Sequence, residues 1–271
     1  MDYKRLIDLH VHTDNSPDGH HAAMLICETA VAKGLRAVAF TDHCEVDVYF
    51  DDKYDRVVRQ SYFEVARAKS AYRGNLLVLQ GVELAQPTYD EELALKIIDA
   101  RNYDMIIGSI HNLRGESDFY YTRDFEGMDI DSMLKAYFRE LAVLADWGQF
   151  DTLAHLTYPL RYFYARNNIS VDMEEYACEV DEILKLLAEN HIALEINTAG
   201  LRQPIKKLAP EFPIVKRFRE LGGKYITIGS DAHYAEHLAA GFDDALEVAQ
   251  EAGFDCVTLF QNRDPVEIPI G

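Results

Sequence analysis

Short apolar runs rich in β-branched residues recur along the whole 271-residue chain, and helical patterns separate most of them. This alternation is typical of a parallel sheet covered by helices. Because the repetition extends over the whole chain, it favours closure of the sheet into an α/β barrel of roughly seven or eight units. The alternative is an open, doubly wound sheet, although no GxGxxG follows the first strand. The predicted helices cover residues 22–33, 54–72, 130–147, 173–190, 213–221 and 238–252.

The composition excludes several classes of function. A formal net charge of −19 repels phosphodiester backbones, so we predict that the protein does not bind long nucleic acids. The sequence contains neither an apolar run of membrane-spanning length nor a signal peptide, which predicts a cytoplasmic protein without membrane contact. The cysteines form no CxxC pair, which suits free thiols in a reducing compartment better than disulfides. They are Cys27, Cys44, Cys178 and Cys256.

Potential metal ligands fall where the predicted strands end. In parallel barrels the carboxyl ends of the strands converge on one face, where active sites are found. Side chains that are far apart in the sequence should therefore become neighbours at that face. These residues are His10 and His12 after the first strand, His43 after the second, Glu83 after the third, His111 after the fourth, His155 after the fifth, and Asp231 and His233 after the seventh.

The spacing of the first pair has a direct structural meaning. Side chains two positions apart on a strand point to the same face, so His10 and His12 are both predicted to point into the barrel mouth. Asp231 and His233 follow the same rule, with the small Ala232 between them. Burying so many titratable groups without a cation would be costly. Imidazole and carboxylate ligands together suit zinc, iron or manganese.

The remaining histidines lack this position at a strand end. We interpret them as ordinary polar residues and not as ligands. They are His20, His21, His191 and His237.

The order of these motifs resembles the PHP (polymerase and histidinol phosphatase) family. "DLHVHT" followed by "DG", then "FTDH", "GVE", two histidines at strand ends and "GSDAH" carry the resemblance, which extends from Asp8 to about His237. It implies a distorted (β/α)7 barrel, here a single domain over residues 1–271. It also implies a centre of two to three divalent transition metals at the carboxyl ends of the strands.

The resemblance also implies how the ligands are divided among the metals. One metal would be bound by His10, His12, Glu83 and Asp231. Glu83 would bridge to a second metal that is also bound by His111 and His155. A third would use His43, His233 and Asp18, a position where many family members have histidine.

Four stretches make the chain most similar to the monofunctional histidinol-phosphate phosphatases within this family. They are "GSIHNLRG", "HLTYPLRY", "EINTAGLR" and "SDAHYAEHLAAGF". The similarity implies that Arg161 and Arg202 bind the substrate phosphate. A guanidinium group suits this role because it binds phosphate through two parallel hydrogen bonds. The DNA-polymerase-associated members have additional domains for which this chain is too short.

These expectations define a predicted reaction. A hydroxide bridging two metals would attack phosphorus, with Asp231 or His233 handling protons and Asp42 orienting an imidazole from outside the ligand set. The predicted substrate is L-histidinol phosphate, a small phosphate monoester of histidine biosynthesis, and Glu116 and Asp118 are predicted near its histidinol part. The alternatives are a PHP phosphoesterase acting on nucleotides or other small esters, and a metal-binding scaffold without activity. The sequence does not indicate an oligomeric state.

Overall fold

The computed structural model describes residues 6–270, in which seven parallel strands form a nearly closed barrel. The parallel strands of the sheet are β1 (Ile7–Val11), β2 (Ala37–Phe40), β3 (His43–Glu45), β4 (Leu77–Ala85), β5 (Met105–Ser109), β6 (Thr152–Leu153), β7 (Ala193–Asn197) and β8 (Ile226–Gly229). Seven of them are neighbours in the order β1-β2-β4-β5-β6-β7-β8, and the short eighth strand, β3, pairs with β4. Helices cover the outer face.

Contacts between the first strand and the residues after β8 bring the two ends of the sheet together. The His12 backbone N–H donates to the carbonyl oxygen of Ala232 at 3.0 Å. The fully buried Asp8 side chain accepts hydrogen bonds from Ser230 N–H at 2.9 Å, Ser230 Oγ at 2.6 Å and Ala239 N–H at 2.9 Å. These contacts confirm the predicted barrel and exclude the alternative of an open, doubly wound sheet.

The predicted second strand is divided in two. β2 ends at Phe40, and His43 begins β3. Both segments keep one register against β4, since Phe40 pairs with Gln80 and His43 pairs with Glu83. Between the two segments, Thr41 N–H donates to the Val11 carbonyl of β1 at 2.8 Å, and the Asp42 carbonyl accepts from Glu83 N–H of β4 at 3.2 Å. Pairing with β4 therefore places His43 directly beside Glu83.

Most predicted helices are present with small changes at their ends. The segment predicted over residues 173–190 begins with a 3-10 turn, Met173–Tyr176, and the last predicted helix begins at Phe242 because Ala235–His237 forms a separate 3-10 turn. Three further helices, Glu91–Asp99, Tyr158–Asn167 and Ala199–Arg202, lie outside the six predicted ranges. The helices are α1 (Ala23–Ala32), α2 (Tyr54–Ala71), α3 (Glu91–Asp99), α4 (Ile130–Trp147), α5 (Tyr158–Asn167), α6 (Ala177–Glu189), α7 (Ala199–Arg202), α8 (Phe212–Glu220) and α9 (Phe242–Glu251).

The C-terminal residues form an antiparallel hairpin of β9 (Cys256–Gln261) and β10 (Asp264–Pro269). Its turn is attached next to the amino ends of β5 and β6. Arg263 N–H donates to the Asp104 carbonyl at 2.8 Å, and Arg263 Nε donates to Asp151 Oδ1 at 3.0 Å. The hairpin thus holds the end of the barrel opposite to the converging ligands. None of the helices within residues 6–270 is both long and apolar enough to cross a membrane.

Asp8→Ala is expected to lower the free energy of unfolding by about 2–4 kcal/mol, because Ser230 and Ala239 would lose their buried acceptor. Urea denaturation followed by circular dichroism measures this change. Asp255→Ala, at an exposed aspartate, is the control and should stay within about 0.5 kcal/mol of the parent. Equal stability of the two variants would contradict the role given to Asp8 in closing the barrel.

Candidate metal centre

Glu83 lies at the centre of the histidine cluster. Its side chain is fully buried, and its two oxygens lie within 4 Å of nitrogens from five imidazole rings. The nitrogens near Oε2 are His43 Nδ1 at 2.9 Å, His10 Nε2 at 3.3 Å and His12 Nε2 at 3.7 Å, while His111 Nε2 and His155 Nε2 each lie 3.0 Å from Oε1.

Asp231 and Asp18 add two further carboxylates to this cluster. Asp231 Oδ1 lies 3.4 Å from His12 Nε2 and 3.5 Å from His233 Nδ1. Asp18 places one oxygen 3.1 Å from His233 Nε2 and the other 3.6 Å from His43 Nε2. All nine residues predicted as ligands therefore form one continuous cluster, although they come from seven separate segments of the chain.

Three overlapping groups within the cluster have the spacing needed to hold a metal ion. In each group the donor atoms lie within 4.8 Å of one another. His12 and His43 each belong to two groups, as does Glu83, so neighbouring ions would share donor residues. The groups are His12–His43–His233, His10–His12–Glu83 and His43–Glu83–His111.

Unpaired buried atoms test whether the cluster suits metal ions. Buried polar atoms in folded proteins nearly always have a hydrogen-bond partner. Within residues 6–270, seven buried nitrogen and oxygen atoms of this cluster have none, despite the short distances between opposing side chains. They are His10 Nε2, His12 Nε2, His43 Nδ1, His155 Nδ1, His233 Nε2, Glu83 Oε2 and Asp18 Oδ1. Nitrogen and oxygen atoms that converge without hydrogen bonds fit cations between them, in agreement with the predicted metal centre.

The pKa shifts within the cluster also support bound cations. Burial, together with the nearby His233 and His43, lowers the pKa of His12 to about 3, so this ring is neutral at physiological pH. Burial also disfavours charge on His43, but Glu83 and Asp18 outweigh it and raise the pKa of His43 to about 9. Burial would raise the pKa of Glu83, yet the surrounding imidazoles hold it well below its usual range. Ionised carboxylates at this depth need positive charge beside them.

Two carboxylates that sequence reasoning missed hold the outer nitrogens of the rings. Glu195 Oε1 lies 2.7 Å from His10 Nδ1, and its Oε2 accepts the His155 backbone N–H at 2.9 Å. Glu45 Oε1 lies 3.0 Å from His111 Nδ1. A carboxylate bonded to one ring nitrogen fixes the tautomer and directs the other nitrogen toward a metal. The available signal for Glu195 was a charged residue inside the buried strand "ALEIN".

Asp42 contacts the ring of His12 indirectly. Its Oδ1 accepts from Thr13 N–H and from Ser16 Oγ, both at 2.7 Å, and its Oδ2 accepts from Ser61 Oγ at 2.5 Å. Ser16 Oγ lies 3.2 Å from His12 Nδ1. The predicted orienting contact with an imidazole therefore passes through a serine hydroxyl.

The two predicted phosphate ligands lie beside Asp231 in the same pocket. Arg161 comes from α5 and donates through NH1 to Asp231 Oδ2 at 3.2 Å, while Arg202 comes from α7 and donates through NH2 to the Asp231 carbonyl at 3.3 Å. Among residues 6–270, Arg161 NH2 and Arg202 NH1 have no hydrogen-bond partner. The pocket has a volume of about 670 Å³, enough for a small metabolite, and is also lined by His43, Glu83 and His155.

The four histidines interpreted as ordinary polar residues lie outside the three metal-spaced groups. His20 stacks on Tyr234, with ring centroids 4.0 Å apart, and His21 Nδ1 accepts the Ala235 N–H at 3.0 Å. His191 is exposed, and His237 lies in the wall of the pocket.

Comparison with known proteins identifies the family. The model of the PHP domain matches residues 8–199. This chain belongs to the PHP family. A probable histidinol-phosphatase of Clostridium acetobutylicum is 31% identical over 261 residues, which cover 95% of this chain and 98% of that protein. The histidinol-phosphatase of Lactococcus lactis is 27% identical, covering 94% of each chain. A probable phosphatase of Vibrio parahaemolyticus is 24% identical, and the alignment covers 92% of this chain and 86% of that protein.

Solved structures share the fold. The crystal structure of histidinol phosphate phosphatase from Lactococcus lactis, complexed with zinc, L-histidinol and phosphate, superposes with a TM-score of 0.79 at 22% identity, covering 97% of this chain and 99% of that one. A putative histidinol phosphatase of Listeria monocytogenes gives a TM-score of 0.75 at 20% identity, with 88% and 99% covered. The nearly closed barrel is thus the fold of these PHP relatives.

Asp18→Ala is expected to remove about one metal ion per chain, because His43 and His233 would keep no carboxylate between them. Inductively coupled plasma mass spectrometry of zinc-loaded protein after gel filtration measures the content. Asp14→Ala, at an exposed aspartate of the same loop, should keep the parent content. An unchanged content in Asp18→Ala would show that Asp18 holds no ion.

Glu195→Gln is expected to weaken zinc affinity about 10–100-fold while keeping a folded protein, because an amide binds the outer nitrogen of His10 less strongly than a carboxylate. Competition with a fluorescent chelator measures the affinity. Glu189→Gln, at an exposed position of α6, is the matched control. Equal affinities in Glu195→Gln and Glu189→Gln would exclude an orienting role for Glu195.

Proposed function

We propose that this PHP protein is a metal-dependent phosphomonoesterase that hydrolyses L-histidinol phosphate to L-histidinol and phosphate in the cytoplasm, as a step of histidine biosynthesis. The observation that carries the proposal is the position of two arginines beside the buried cluster of predicted metal ligands, each with a guanidinium nitrogen that has no hydrogen-bond partner within residues 6–270. Zinc, iron or manganese would be held by His10, His12, Asp18, His43, Glu83, His111, His155, Asp231 and His233.

The residues of this chain have distinct parts in the proposed reaction. When bound, divalent ions would lower the pKa of water and offset the charge of the phosphoryl group. Arg161 and Arg202 would hold the non-bridging phosphate oxygens, since each has one nitrogen bonded to Asp231 and another without a partner in the described part of the chain, residues 6–270. Asp231 and His233 would move protons, because their side chains lie 3.5 Å apart at the edge of the cluster.

The choice of L-histidinol phosphate is supported by the names and the extent of the relatives. Proteins named histidinol-phosphatase or probable histidinol-phosphatase align with more than nine-tenths of this chain. More distant relatives have the broader name of probable phosphatase, which supports a second candidate, a phosphoesterase with nucleotides or other small esters as substrates. A metal-binding scaffold without activity is disfavoured, because a degenerate site would not be expected to keep every predicted ligand and both arginines.

The proposed substrate is tested by measuring phosphate release by the zinc- or manganese-loaded enzyme. The esters compared are L-histidinol phosphate, AMP, glycerol phosphate and p-nitrophenyl phosphate. We expect kcat/KM to be highest for L-histidinol phosphate and activity to disappear after chelation. Comparable turnover of AMP or glycerol phosphate would favour the broader phosphoesterase. Metal binding without turnover of any ester would favour the scaffold.

Arg161→Ala is expected to lower kcat/KM by about 100-fold, because a buried charge-assisted hydrogen bond to phosphate is lost. Arg166→Ala, at an exposed arginine of the same helix, should retain the parent rate. Steady-state kinetics of both variants at equal metal content measures kcat/KM. Parent-like activity in Arg161→Ala would remove this arginine from the phosphate site.

A further inference from the structure

A second cavity lies at the opposite end of the barrel from the metal centre. Its volume is about 450 Å³, and it is lined by residues just before the amino ends of β6, β7 and β8 together with the C-terminal hairpin. The metal ligands lie at the carboxyl ends of the strands, so the two cavities are separate. We call this one the amino-end pocket; its lining includes Phe150, Asp151, His191, Lys224, Tyr225 and Arg263.

The charges that line the amino-end pocket differ in balance from those of the whole chain, which has a net charge of −19. Within residues 6–270 its lysine and arginine residues are Lys224 and Arg263, and its carboxylate is that of Asp151. Asp151 accepts from Arg263 Nε at 3.0 Å, so these two charges largely offset each other. Lys224 forms no salt bridge in that part of the chain, and its Nζ donates to the Tyr225 hydroxyl at 2.8 Å. One positive charge beside the cavity therefore has no ion-pair partner.

Arg263 also keeps donors for a ligand. Its Nε is used by Asp151, and its NH2 donates to the carbonyl oxygen of Gln149 at 3.1 Å. No hydrogen bond joins its NH1 to another group of residues 6–270. A guanidinium and an ammonium group on one cavity suit a carboxylate, whose two oxygens accept charge-assisted hydrogen bonds.

Two side chains of the pocket occupy backbone positions that favour glycine. Arg263 has a φ of 68° and follows Asn262, with a φ of 50°, in the two-residue turn of the hairpin, where the sequence Asn-Gly is preferred. His191 has a φ of 57° just after the C-cap of α6, where glycine is again preferred. Both positions carry a nitrogen-bearing side chain that lines the same cavity. Such conformations in residues other than glycine are concentrated at functional sites, which indicates that these side chains bind a ligand.

The rest of the lining limits what this ligand can be. Phe150, Ile192 and Phe260 are buried apolar residues of the cavity wall. A cavity with apolar walls and a few polar groups suits an organic molecule with an apolar body. The carboxylate of Asp151 would repel a doubly charged anion such as phosphate, whereas a single negative charge matches the unpaired charge of Lys224.

We propose that the amino-end pocket binds a small organic anion that has one carboxylate on an apolar body. The carboxylate accepts from Lys224 Nζ and Arg263 NH1, with the His191 ring beside it, and the apolar body packs against Phe150 and Phe260. Because Arg263 belongs to the hairpin and Lys224 precedes β8, the bound anion also joins the hairpin to the barrel. The site is independent of the proposed phosphatase reaction.

Phenylacetate and its neutral analogue phenylacetamide test the pocket, because they differ in the charged group alone. Isothermal titration of the zinc-loaded protein should show at least about tenfold tighter binding of phenylacetate than of the amide. Lys224→Ala is expected to weaken phenylacetate binding about tenfold, because a hydrogen bond to a charged group is lost. Lys216→Ala, at an exposed lysine of α8, should bind like the parent. No binding to the parent, or equal affinities for phenylacetate and phenylacetamide, would overturn the proposal.

His191→Gly separates ligand binding from folding, because glycine adopts the left-handed conformation without strain while the imidazole is lost. We expect an unchanged or higher Tm and about two- to fivefold weaker phenylacetate binding. Parent-like affinity in both Lys224→Ala and His191→Gly would overturn the proposal. Arg161→Ala tests the other pocket: a loss of phenylacetate binding there, with none in Lys224→Ala, would place the anion at the metal centre and also overturn it.

Discussion

The burial of Glu83 beneath five imidazole rings is the constraint on which the rest of the site depends. Two carboxylate oxygens cannot accept from five rings at once, and several facing nitrogens have no hydrogen bond within residues 6–270. Cations between its members would offset the cost of burying these groups. The barrel makes it possible, because parallel strands deliver each side chain to the same end.

A second layer of polar residues gives this cluster its geometry. Glu195 and Glu45 hold the outer nitrogens of His10 and His111, and Ser16 connects Asp42 to His12. Gly229 shows how closely this layer is packed. An added Cβ there would lie 2.4 Å from the Cβ of His10 and 2.3 Å from Glu195 Oε1. The backbone of β8 thus approaches the cluster as closely as a glycine allows.

Much of this arrangement could be predicted because the sequence places the ligands at regular structural positions. The strand ends were visible as histidines and carboxylates after apolar runs, and the barrel follows from their repetition. The carboxylates behind the rings could not be found in this way, since a single Glu45 or Glu195 has no characteristic spacing. The imidazole rings that Glu45 and Glu195 contact depend on the register between strands that are distant in the sequence. Helix α5 was missed because its sequence, "YPLRYFYARN", has four aromatic residues among ten and lacks a clear apolar stripe.

The charge of the pocket connects this geometry to substrate choice. The residues predicted as metal and phosphate ligands suit an anionic group, while carboxylates such as that of Asp118 line the same pocket. In a chain with a net charge of −19, the proposed phosphate ester would bind only where bound cations and buried guanidinium groups locally reverse the field.

Anomalous diffraction at the zinc edge from a crystal of the zinc-loaded protein tests the central claim most directly. The account predicts at least two strong peaks, one of them within about 2.0–2.2 Å of a Glu83 oxygen and of imidazole nitrogens around it. Zinc peaks only at surface side chains, with Glu83 and its five histidines unliganded, would contradict it.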